Sequence, residues 1–121
     1  MGSDQIAEIA PGVREALIGG PAWCATFRIS RDPTRWVQFT AGTINAAYPH
    51  NEAPETRLRQ LESFALMGWA PNRYITGLLA LEDARSVARW IDNYFVAILG
   101  CDLDYSVDLL LETLRDAQGP S

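Results

Sequence analysis

Lysine is absent from this chain; all ten basic residues are arginine. No P-loop lysine, Schiff-base lysine or kinase lysine is therefore available. A single histidine, His50, excludes any multi-histidine metal site. The two cysteines, Cys24 and Cys101, stand far apart and form no C-x-x-C, so neither a zinc knuckle nor a redox motif is indicated. Two buried thiols in a reducing compartment are the expectation, although spacing leaves their pairing open. No apolar run reaches the roughly 18–20 residues of a membrane helix. The longest candidate, "WIDNYFVAILG", is interrupted by Asp92 and Asn93. The start, "MGSDQIAEIAPG", has neither a basic head nor an apolar h-region, so no secretory signal is read and a cytoplasmic location is expected.

What is present points to one folded unit. The 121 residues are 48% hydrophobic, enough for a core, and the ordered part is expected over about residues 5–116. The net charge of −5 is uneven. Residues 1–60 carry six acidic and six arginine side chains, whereas residues 61–121 carry nine acidic and four arginine. An acidic C-terminal half disfavours general nucleic-acid binding and adhesion to an anionic membrane.

Periodicity organises the chain. Ile6, Ile9, Val13 and Leu17 mark a first helix over 4–18, with Pro11-Gly12 as a kink or an alternative start. Period two follows in "AWCATFRIS", "RWVQFT" and "TINAAYP", with turns at "RDPTR" and Ala41-Gly42, which predicts an antiparallel meander. "PETRLRQLESFALMG" reads as a second helix, with Gly68 as its left-handed cap and Trp69 folding back to plug its end. "RYITGLLA" reads as a fourth strand and "LEDARSVARWIDNYFVAILG" as a strong helix ended by Gly100. "DYSVDLLLETLRDA" reads as a last helix with Val107, Leu110, Leu111 and Leu114 inward. The predicted order is α-β-β-β-α-β-α-α, an α+β fold with a three- to four-stranded antiparallel sheet covered by helices.

Candidates for chemistry are few. "GCDLDYS" has the D-x-D of aspartate-dependent phosphatases, but it follows a helical pattern rather than a strand and lacks the lysine. As a calcium loop, Asp102, Asp104, Ser106 and Asp108 alternate, yet Val107 and Thr113 stand where Gly and Glu belong. A thiol–imidazole pair would need Cys24 or Cys101 beside His50, which sits in the polar loop "YPHNEAP". No catalytic residues, metal ligands or cofactor site are assigned, and a non-enzymatic role is expected.

The surplus is aromatic. Trp23, Phe27, Trp36, Phe39 and Tyr48 all fall on the predicted ribbon, and Trp36 is out of phase with Val37 and Phe39. That phase places Trp36 on the outer face beside Gln38 and Arg28. Trp36, Gln38, Trp23, Tyr48 and Arg28 are the candidate partner-binding residues.

"WVQFTAGTINAAYP", followed by an element ending "LMGWAPN", resembles the small actinobacterial domains related to type III secretion chaperones and to YbjN, the peptide-binding TY-Chap group. Trp36, Val37, Gln38 and Phe39 match the first motif. Leu66, Gly68, Trp69, Pro71 and Asn72 match the second, with Met67 replacing the leucine before the glycine. The resemblance covers about residues 5–115 and rests mostly on core-forming positions. It implies an α+β sandwich that binds extended segments of a client protein, often as a homodimer. The C-terminal part departs from it, since one strand and two helices are predicted where the secretion chaperones carry two strands. Two other functions remain in view: an immunity-type inhibitor of one toxin, and a small phosphatase using Asp102 and Asp104.

Overall fold

A computed structural model describes residues 3–113. Helix α1 spans Ser3–Gly19, and a single 3-10 turn, Gly20–Ala22, leads into strand β1, Trp23–Ile29. Strands β2 (Asp32–Thr40) and β3 (Thr43–Ala47) complete a meander. A short helix α2, Glu55–Leu58, precedes a hairpin of β4 (Phe64–Ala70) and β5 (Tyr74–Leu79). Helix α3, Ala84–Ala97, and strand β6, Val107–Thr113, follow. All pairings are antiparallel, in the order β4-β5-β3-β2-β1-β6. The α+β class and the meander agree with the sequence reading, but the sheet has six strands. No helix among the described residues is long and apolar enough to cross a membrane.

Alternation along the strands decides where the core lies. Ala25, Phe27, Val37, Phe39, Ile44, Ala46 and Ile75 are fully buried on one face. Against them lie α1 through Ile9, Val13 and Ala16, and α3 through Val87, Ile91, Tyr94 and Phe95. The two helices pack side by side. Pro11 does not break α1. Proline leaves the carbonyl four residues earlier without its amide partner, and Ala7 and Pro11 both lie on the exposed side, where that carbonyl is accessible to solvent. Gly12 faces the sheet; a Cβ there would stand 2.8 Å from Leu109 Cδ1 and 3.0 Å from the Phe27 ring. That close approach lets one helix cover β1 and β6 together.

Helix α3 begins on the Asp83 carboxylate, which accepts from the Ser86 amide at 3.2 Å. It ends through Gly100 at φ 69, with the Cys101 amide donating back to the Phe95 carbonyl at 2.9 Å.

Two predicted helices are corrected. "PETRLRQLESFALMG" is helical only over Glu55–Leu58, and Ser63 at φ 66 turns the chain into β4. Gly68 is a strand residue, not a cap, and Trp69 lies opposite Ile75 across the hairpin. The left-handed position belongs to Asn72, φ 57, in the Ala70–Arg73 turn. "VDLLLET" is strand β6 rather than a helix, paired along its length with β1. Val107, Leu109 and Leu111 turn toward the helices, and Leu110 turns away. Leu114 lies outside the described residues. The β1–β2 turn is Ser30–Arg31, so Pro33 falls within β2 instead of in the turn.

Candidate functional site

Because both long helices cover the same face, the opposite face of the sheet has no helix on it among the described residues. Its rows follow from the register. Asp108, Arg28 and Trp36 form one row across β6, β1 and β2. Leu110, Thr26, Gln38, Asn45, Thr76 and Gly68 form the next. Gln38 Nε2 donates to Thr26 Oγ1 at 3.1 Å, and Asn45 Nδ2 donates to Gln38 Oε1 at 3.4 Å. This amide ladder satisfies the centre of the face and leaves its apolar side chains at the margins. Toward β4 these are Tyr74 and Leu78, 40% and 51% exposed, and toward β6 it is Leu110, 43% exposed.

The predicted partner-binding residues therefore divide. Trp36, Gln38 and Arg28 share the open face. Trp36 is half-buried, touching the core at its rim. Trp23 is on the other side of the sheet, where its indole covers the spot a Gly19 side chain would occupy and closes the end of α1. Tyr48 is fully buried; its hydroxyl donates to the Glu52 carbonyl at 2.8 Å and its ring meets Trp69 edge-on at 6.1 Å. Trp69 is thus a half-buried residue of β4 that packs on Tyr48 at the margin of the core.

Among the described residues, neither edge strand, β4 or β6, has a strand on its outer side. At β4 the ladder slips between Leu66 and Gly68, and Met67 projects there, 68% exposed. At β6 the edge is straighter. The Ser30 amide donates to the Ser106 carbonyl at 2.9 Å, which fixes the phase of the ladder. Asp108, Leu110 and Glu112 turn their backbone groups toward β1, while those of Val107, Leu109 and Leu111 point outward. Glu8 of α1 reaches over to accept from the Val107 amide at 2.9 Å, pinning the first residue of the edge. No strand covers the outer side of Leu109 and Leu111 among the described residues. Sequence reasoning missed this edge because three leucines beside Glu and Asp also satisfy a helical stripe.

No family model, no curated protein and no solved structure matches this chain.

The other candidates are placed as follows. A hollow of about 250 Å³ opens at the β1–β2 turn, lined by Arg31, Asp32, Arg35, Cys101 and Asp102 among others. Arg35 Nε lies 3.2 Å from Asp32 Oδ2, and its Nη1 lies 3.9 Å from Cys101 Sγ. Burial pushes the Cys101 thiol up despite the opposing pull of Arg35, so the sulfur stays protonated and is a poor nucleophile at neutral pH. Cys24 and Cys101 are both buried and unpaired with each other. His50 is half-buried rather than loose in its loop: its Nε2 donates to the Ile98 carbonyl at 2.8 Å, and the ring lies edge-on to Tyr48. Asp102 and Asp104 are exposed beside a turn and cap no helix, since no helix follows them within the described residues. Among the described residues no three His, Cys, Asp or Glu side chains converge as a metal site.

Proposed function

We propose that this chain is a non-enzymatic, chaperone-like domain that holds an extended segment of a client protein. The observation that carries the reading is the one-sided sheet. Its helices occupy one face, and the outward backbone groups of Leu109 and Leu111 line an edge with two leucines, Leu109 and Leu110, 44% and 43% exposed. Such an edge accepts an added strand: the ladder supplies affinity and alternate side-chain contacts supply selectivity. The element order supports the resemblance to the secretion-chaperone and TY-Chap group. Two strands, β4 and β5, stand after α2, where the sequence reading had only one. Arg28, one strand in from β6, and Trp36 and Gln38, two strands in, lie on the same open face.

The test is capture followed by mapping. Polypeptides retained from the source lysate are purified and rebound, and amide exchange of the complex is measured. Slowed exchange across residues 107–113 is expected. A complex that slows exchange only in the α1–α3 layer would replace this reading with a different interface, and the absence of any retained polypeptide across salt concentrations would count against a client altogether.

A further inference from the structure

The open face of β6 presents Asp108, Leu110 and Glu112, two carboxylates bracketing a leucine. This arrangement constrains what can pair with the edge. Directly opposite residues on one face of an antiparallel pair lie close enough for like charges to repel and opposite charges to attract.

Consider first a second copy of the same strand. A two-fold axis that continues the sheet, with the helices on one side, places residues of equal phase opposite each other. Centring the axis on Leu110 sets Asp108 of each copy against Glu112 of the other. Moving the centre to Leu109 sets both Asp108 carboxylates against leucine, and moving it to Leu111 does the same for Glu112. Every register with substantial overlap thus faces acid with acid or acid with hydrocarbon. Arg28, next to Asp108 on β1, and Ser30, whose hydroxyl donates to Asp108 at 3.0 Å, lessen the charge at one end only. Glu112 stands beside Cys24, and its row has no cation among the described residues.

We propose that the β6 edge is built to reject its own copy and to accept a client strand of the pattern basic–x–apolar–x–basic, its lysine or arginine side chains facing Asp108 and Glu112 and its apolar residue covering Leu110. This inference rests on the strand-addition reading above and adds the chemistry of the occupant.

The test uses two heptapeptides, Thr-Lys-Thr-Val-Thr-Lys-Thr and its counterpart with Glu at both Lys positions, titrated into the protein with amide NMR shifts as the readout. The Lys peptide is expected to shift the amides of Leu109 and Leu111 and to bind about tenfold more tightly or better, from two favourable pairs against two unfavourable ones. Asp108→Asn with Glu112→Gln keeps the acceptors and the fold, and it removes the preference. Glu112→Lys makes both pairs of the Leu110-centred register complementary, so this variant is expected to form a concentration-dependent dimer, read by sedimentation, that the wild type does not form through β6. Equal binding of both peptides at β6 overturns the charge rule and leaves strand addition standing. Failure of either peptide to perturb residues 107–113 overturns both. Protection of Leu109 and Leu111 on concentrating the wild-type protein alone overturns the rejection of a second copy.

Discussion

Asp92 is the residue whose surroundings are most exacting. It is a carboxylate on α3, 6% exposed, and the Tyr105 hydroxyl donates to it at 2.7 Å. The Tyr105 carbonyl in turn accepts from Gln5 Nε2 of α1 at 3.2 Å. One tyrosine therefore ties both helices to the segment that delivers β6. Tyr105→Phe leaves the buried carboxylate without this donor, and a loss of about 1.5–3 kcal/mol is expected. Urea denaturation of the variant measures it directly. Trp69 and Trp36 give a contrast of another kind. Trp69→Ala removes a half-buried indole packed on Tyr48 and is expected to destabilise by about 1–3 kcal/mol. Trp36 lies two strands in from β6, so Trp36→Ala is expected to lower stability and leave binding at the β6 edge unchanged; thermal melts paired with a binding assay check this.

At the scale of elements, β6 is an edge strand held to the sheet from one side. One side of it pairs with β1, and its first amide is held by Glu8 across from α1. Glu8→Ala is expected to speed amide exchange at residues 107–113 severalfold while leaving α3 and the β1–β2–β3 ladder unchanged, which residue-resolved exchange would show. The meander and α3 were legible in the sequence because their periods are unambiguous: Ala25, Phe27 and Ile29 alternate, and Val87, Ile91, Tyr94 and Phe95 repeat helically. The edge strands were not. "SFALMG" and "VDLLLET" are rich in Leu, Met, Ala and Glu, good helix formers, and they become strands because β5 and β1 offer them ladders. A turn signal was present at Pro71-Asn72, where asparagine suits the left-handed position of a hairpin, but the same residues also suit a helix end. The candidate site inherited this ambiguity. Phase alone put Trp36, Gln38 and Arg28 on one face, whereas the β6 edge depends on a pairing between residues near opposite ends of the sequence.

The molecule as a whole has an uncommon relation to alkaline pH. With no lysine, the side chains whose ordinary titration range falls between about pH 8 and 11 are tyrosines and thiols. Burial pushes Tyr94 and Tyr105 well above the ordinary tyrosine range, and the Asp92 carboxylate pushes Tyr105 further. A proton held more tightly in the folded state than in the unfolded one stabilises the fold below the unfolded pKa. That contribution declines once the unfolded tyrosines begin to ionise near pH 10, and it continues to fall toward the folded values. Stability is therefore expected to drop with rising pH above about 10, and less steeply in Tyr105→Phe than in the wild type. Denaturation midpoints taken across that range, with tyrosinate absorbance followed in parallel, provide the check.

The neighbour of β1 on its outer side is β6, and α2, β4, β5 and α3 all lie between them in the chain. During synthesis, β1, β2 and β3 can assemble as soon as they emerge, but β1 must then wait as the outermost strand until Val107 and the residues after it have been made. For that interval the border of the nascent sheet is the unpaired backbone of β1, where the finished protein has an acidic edge. Strand β6 thus changes which border the molecule shows to other chains, and translation that stalls before it leaves the β1 edge unpaired.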